Sequence, residues 1–179
     1  MKVIRNYLYN VGYQVLAIIV PLITSAYVSR VLRPEGVGSN AFTNSIIQYF
    51  ILFASMGIGY YGNRQIAYVR DNRTKMAKTF WEIQIVKTIM TLVSIIAFEI
   101  FLIFYTRQFD YMVAQSLNLV AVAFDISWFY EGVENFKVTV LKNSLVKIVS
   151  MIAIFLFIKG TYDVTLYIVV LALSTLLGN

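Results

Sequence analysis

Six long apolar stretches dominate the chain, at about residues 7–29, 39–62, 80–105, 111–130, 138–158 and 164–179. A bilayer core of about 30 Å takes about 20 helical residues, so each stretch reads as a membrane-spanning helix, the sixth still apolar where the sequence stops. Runs this long and continuous lack the two-residue alternation of membrane barrel strands. The expected fold is all-α and integral to the membrane, a bundle of about six transmembrane helices forming one transmembrane lobe over residues 1–179. Lys2 and Arg5 precede the first run, but that run is too long for a signal peptide and further spans follow it, so it is expected to stay in the mature protein. Pro21 inside the first span removes a backbone hydrogen bond and predicts a kink, and Gly57, Gly59 and Gly62 allow bending or close contact in the second.

Polar residues recur inside the spans at helical spacing. Asn6, Asn10, Gln14, Ser25 and Ser29 stripe the first span, and Asn40, Asn44, Gln48 and Ser55 the second. Gln84, Lys87, Thr91 and Ser94 share a face of the third, Gln115, Asn118 and Asp125 mark the fourth, and Asn143, Ser144, Lys147 and Ser150 the fifth. One such stripe is interhelical hydrogen bonding; five predict a hydrophilic cavity within an apolar shell. Intramembrane charges carry a cost of about 2.5–3.5 kcal/mol at the bilayer centre and therefore face a bundle interior or a water-filled space. Counted from the inner ends at about 1.5 Å per residue, Lys87, Asp125 and Lys147 lie at a similar depth of roughly 8–15 Å. One acid against two bases leaves a positive patch suited to a phosphate or pyrophosphate. Snorkelling to the interface is the alternative for a lysine, and it is the expectation for Lys142.

Composition narrows the chemistry. Of 179 residues 59% are apolar and 13% charged, about half the charge of a soluble domain. The chain has no His and no Cys, which excludes thiol nucleophiles, His-based acid–base pairs and zinc sites built on these ligands. No cofactor, metal or catalytic residue is expected. The net charge of +6 serves topology rather than nucleic acid. Lys2, Arg5, Arg64, Arg70, Arg73, Lys75, Lys78, Lys137 and Lys142 fall on one side, against Arg30, Arg33, Arg107 and Lys159 on the other. The more basic side is the cytoplasmic one, which places the N-terminus in the cytoplasm and the basic loops against membrane lipids.

Three segments resemble a known family. Ser29-Arg30-Val31-Leu32-Arg33-Pro34-Glu35-Gly36-Val37-Gly38 resembles the first external loop of Wzx-type polysaccharide repeat-unit flippases, of the multidrug/oligosaccharidyl-lipid/polysaccharide (MOP) exporter superfamily. Gly57-Ile58-Gly59-Tyr60-Tyr61-Gly62-Asn63-Arg64-Gln65-Ile66-Ala67 is similar to that family's end of the second helix. Asp125-Ile126-Ser127-Trp128-Phe129-Tyr130-Glu131-Gly132-Val133-Glu134, followed by Lys147, is the strongest match, and the ordered set covers essentially the whole chain. The resemblance implies a bacterial cytoplasmic-membrane carrier, not an enzyme. It would move undecaprenyl-pyrophosphate-linked oligosaccharide to the outer leaflet by alternating access. It further implies two lobes of about six helices, of which this chain is the N-terminal one. A C-terminal lobe and other polysaccharide-assembly proteins then become expected partners, and the chain is expected to be a fragment. Arg30, Lys87, Asp125 and Lys147 match charged positions of the family pattern, and with Asn44 and Gln48 they are the candidate cavity residues. Asp125, Glu82 and Glu99 are the candidates for coupling to an ion.

Rival functions make different demands. A multidrug or organic-cation exporter of the same superfamily calls for excess acid in the cavity. A glycan polymerase or ligase calls for a large external loop with catalytic groups, whereas the outer loops carry only Glu35, Asp110 and Asp163 as acids. A non-transporting membrane subunit of a glycan-assembly complex has no need of intramembrane charge.

Overall fold

A computed structural model describes the backbone of residues 2–179 and the side chains of residues 11, 14–135 and 139–179. Lys2, Arg5, Asn6, Asn10 and Lys137 therefore lie outside the described side chains. The described chain is helical throughout: α1 (Lys2–Val31), α2 (Arg33–Ser55), α3 (Ile58–Val69), α4 (Arg73–Phe104), α5 (Phe109–Phe124), α6 (Ser127–Gly132), α7 (Phe136–Phe157) and α8 (Val164–Gly178). Five segments are long and apolar enough to cross a membrane, with the shorter apolar α8 beside them.

Helices cover the six apolar runs, and their bounds differ from the expected spans at three places. The segment around Arg33 is not an open loop: α2 starts at Arg33, one residue beyond α1, because Pro34 sits in its first turn, where its fixed φ suits a helix and its missing N–H costs nothing. The second span continues past Gly62 to Val69 but is interrupted after Ser55, where Met56 and Gly57 both adopt left-handed backbone (φ 35° and 71°). The fourth span is interrupted at Asp125 and Ile126, so it is built from α5 and the short α6. Pro21, in contrast, is accommodated within a continuous α1, and Thr24 Oγ1 donates to the Val20 and Pro21 carbonyls nearby.

Three apolar clusters organise the bundle. Val28 and Leu32 of the α1 end pack with Ala114, Ile154, Ile158, Val164 and Ile168, joining α1, α5, α7 and α8. Ile47, Ala54, Phe98, Leu102, Met112 and Leu119 join α2, α4 and α5. Ile58, Ile66, Ile83 and Trp128 join α3, α4 and α6. In lipid there is little hydrophobic drive between helices, so close packing and interhelical hydrogen bonds, worth about 0.6 kcal/mol each, do most of the fastening. Ser94 Oγ donates to the Phe50 carbonyl (2.7 Å), Gln84 Nε2 to Ala123 (2.8 Å) and the Tyr27 hydroxyl to Ile158 (2.8 Å).

The turn between α7 and α8 is tied by Asp163, whose Oδ2 accepts the backbone amides of Lys159 and Gly160, each at 2.8 Å. Those amides hold its carboxyl below the usual carboxylate range. A pKa lowered by folding contributes stability that is present above the unfolded value and lost as pH falls through the folded one. Asp163→Ala is therefore expected to lower the thermal midpoint in detergent at pH 7. The difference from the parent should vanish once acidification has protonated Asp163; a gap that persists at the lowest pH would mean another cause.

Candidate functional site

Residues from the stripes of α2, α5 and α7, with Ser25 of α1, line adjoining cavities, and α8 joins them. A cavity of about 390 Å³ lies between α1, α7 and α8, with Thr24, Ser25, Asn143, Lys147, Ser150 and Ser174 among its polar lining. A second, of about 300 Å³, is lined by Asn40, Asn44 and Gln48 of α2, Gln115 and Asn118 of α5, and α8. Leu171, Ser174 and Thr175 line both, so the two adjoin along one face of α8. A third continues along α2 from Asn44 and Gln48 to Ser55. The result is a polar groove crossing five helices.

Its walls are preorganised by hydrogen bonds. Gln115, buried at the centre, donates to Asn40 Oδ1 and Thr43 Oγ1, each at 3.3 Å, and accepts from Asn118 Nδ2 at 2.8 Å. Gln48 Nε2 donates to Asn44 Oδ1, and Ser174 Oγ to Ser150 Oγ (3.2 Å). Such networks fix side chains that would otherwise lose entropy on meeting a ligand. Among the described residues Lys147 is the charged one lining the three adjoining cavities, and neither Asp nor Glu lines them. Ser174 and Thr175 were not singled out from the sequence. Their one signal is a pair of neighbouring hydroxyls on the otherwise apolar face of α8.

Lys87 and Asp125 come together elsewhere. Lys87 is buried, with its side chain 3% exposed, and its Nζ donates to Asp125 Oδ2 at 3.0 Å and also to the Asp125 backbone carbonyl. Asp125 Oδ1 in turn accepts the amide and the hydroxyl of Ser127, which starts α6. The interrupted fourth span leaves a free carbonyl and unsatisfied amides at its break, and one ion pair answers both. The α4 stripe thus works as packing: Gln84, Lys87 and Ser94 all bond across to neighbouring helices. Neither Lys87 nor Asp125 lines the groove, so the structure does not bring Lys87 beside Lys147.

The remaining candidates are dispersed. Arg30 is exposed at the end of α1. Glu82 is exposed, 3.8 Å from Lys78, and borders a cavity of about 270 Å³ between α3 and α4. Glu99 is exposed on α4. Among the described residues no group of three acids stands ready for a metal ion.

Residues 3–179 match the polysaccharide biosynthesis protein family. The chain is 24% identical over 165 residues to an Escherichia coli K12 protein described as a putative O-antigen transporter, an alignment covering 90% of this chain and 40% of that one. The chain therefore spans well under half the length of this curated relative. No solved structure matches significantly. The apolar helices agree with the family match over nearly the whole chain: this is a multi-pass membrane protein, and it belongs to the polysaccharide biosynthesis protein family.

Proposed function

We propose that the chain forms the N-terminal lobe of a polysaccharide transporter, a flippase that moves undecaprenyl-pyrophosphate-linked oligosaccharide across the bacterial cytoplasmic membrane. The observation that carries this reading is the groove: Asn, Gln, Ser and Thr stand among apolar side chains in its lining, with Lys147 as its charged member and no acid among its described lining. Neutral amides and hydroxyls suit sugars, and a basic residue suits a phosphate-bearing headgroup. An organic-cation exporter would want the opposite charge. In this reading the N-terminus is cytoplasmic, a second lobe completes the cavity, and the lipid tail stays in the bilayer while the headgroup crosses by alternating access. Directed movement then requires different affinities in the inward and outward states.

The test is leaflet translocation of a lipid-linked oligosaccharide in proteoliposomes by the full-length protein. A charge-assisted hydrogen bond is worth about 1.5–3 kcal/mol, so Lys147→Leu is expected to lower the rate by about tenfold or more, while Lys147→Arg keeps most of it. Normal translocation by a correctly inserted Lys147→Leu protein would overturn the anion-binding assignment. Absence of any translocation by the parent protein would overturn the substrate.

A further inference from the structure

The lipid-facing side of α4 carries a second feature, remote from the groove. Ile85, Ile89, Leu92, Ile96, Ile100 and Ile103 are exposed along this helix. They lie opposite its buried stripe of Ile83, Lys87, Thr91, Ser94, Phe98 and Leu102. Trp81, 62% exposed, continues the exposed stripe toward the helix start, and Ala77 and Arg73 follow at four-residue steps. Arg73 opens α4, whose 32 residues run about 48 Å against a bilayer core of about 30 Å, which puts its guanidinium at headgroup level, with Trp81 about 12 Å further along the helix. A cavity of about 260 Å³ runs along this line. Arg73, Ala77 and Trp81 form one side, and Ile126, Phe129 and Tyr130 of the α6 region the other.

The aromatic wall is braced from behind. Phe80 stacks on the buried Trp128 and meets Phe129 edge-on at 5.1 Å, and Phe129 meets Tyr130 at 5.7 Å. The acids of the neighbouring turn are engaged, Glu131 by Asn63 and Glu134 by Arg70. Lys78 lies beside Glu82, whereas Arg73 forms no ion pair among the described residues. A cation at headgroup level above a narrow aromatic slot that opens to lipid has the form of a site for one phosphate-bearing chain.

We infer that this slot binds an anionic glycerophospholipid of the cytoplasmic leaflet. Arg73 meets the phosphate, and one acyl chain lies over Ala77 between Trp81 and Phe129. The leaflet follows from the orientation proposed above, in which the turn of residues 70–72 between α3 and α4 is cytoplasmic. A single arginine matches one phosphodiester. The slot shares no lining residue with the groove, so this lipid is a resident of the fold and not the transported molecule.

The experiment is photocrosslinking of full-length protein in liposomes with diazirine-labelled phosphatidylglycerol or phosphatidylcholine, read by peptide mapping, which requires no translocation. Adducts are expected within residues 76–81 and 126–130. The anionic probe should label about fivefold more strongly, the factor that one basic residue near a membrane surface supplies. Arg73→Gln should remove that preference, Lys75→Gln should keep it, and Ala77→Phe, which fills the slot at an exposed position, should suppress labelling by both probes. Equal labelling by the two headgroups, an unchanged preference in Arg73→Gln, or undiminished labelling in Ala77→Phe would each overturn the assignment.

Discussion

Replacing Lys87 with methionine is expected to destabilise the protein more than replacing any exposed lysine of the basic loop. The substitution removes both hydrogen bonds that the Lys87 ammonium donates to Asp125, leaving its Oδ2 and its backbone carbonyl without this partner inside the bundle. Breaking a buried pair by removing one partner costs about 3–5 kcal/mol, and because the Asp125 side chain is 30% exposed the lower end applies. Asp125→Leu should be at least as damaging. It strands an ammonium whose side chain is 3% exposed and also removes the acceptor of the Ser127 amide and hydroxyl, so that α6 loses its starting contact. Asp125→Asn keeps an oxygen for Ser127 and should be milder than Asp125→Leu. The exchange Lys87→Asp with Asp125→Lys restores opposite charges but cannot restore either the carbonyl contact or the Ser127 contact. It is therefore expected to remain unstable. Thermal unfolding in detergent, read with expression level and gel-filtration profile, ranks these variants. Full recovery in the exchanged pair would show that charge alone holds the junction, and an unperturbed Lys87→Met protein would remove the junction from the account.

That junction also marks where the sequence was legible and where it was not. Hydropathy places the spans because burial in lipid demands about 20 apolar residues whatever their neighbours. Helical period places Gln84, Lys87, Thr91 and Ser94 on one face, and the structure has three of these stripe residues bonding across to other helices from that face. What period cannot supply is the element that the face meets. Lys87 and Lys147 look alike in depth and in polar company, yet one is held at the break between α5 and α6 and the other lines the groove. The break itself carries a local signal in Asp125-Ile126-Ser127, an aspartate two residues before an amide it can accept, which is the pattern of an Asx turn. Within an apolar run it reads instead as a charge at depth. The stripes of α2, α5 and α7 were legible because Asn, Gln and Lys stand out against Leu and Ile. Ser174 and Thr175 were not, since hydroxyls in membrane spans commonly bond back to their own helix, as Thr175 does to Leu171, and nothing local marks the contact that Ser174 makes with Ser150.

At the seam between α3 and α6 two glycines are required for space rather than for backbone freedom. A Cβ on Gly62 would stand 2.5 Å from Trp128 Cε3 and 2.9 Å from its Cδ2, and the indole is also held by stacking on Phe80. A Cβ on Gly132 would stand 2.7 Å from Ile66 Cβ and 2.9 Å from the Asn63 carbonyl oxygen. Alanine ordinarily stabilises a helix interior by about 1 kcal/mol over glycine, so a loss of stability at Gly62, inside α3, reverses the usual sign. Overpacking costs about 1–3 kcal/mol, and contacts this close belong at the upper end. Gly59 provides the control on the same helix, since a Cβ there meets nothing within 4 Å, and Gly59→Ala is expected to be neutral or slightly stabilising. The two seam positions should also differ in how they are rescued. Trimming the indole relieves the Gly62 clash, so Gly62→Ala should cost less in a Trp128→Leu background than in the parent, a coupling that a double-mutant cycle measures. Ile66→Ala cannot relieve Gly132→Ala in the same way, because alanine keeps the Cβ and the Asn63 carbonyl belongs to the backbone. Additive behaviour at Gly62 with Trp128, or a stable Gly132→Ala protein, would mean that α3 and α6 are not held at the distance these glycines allow.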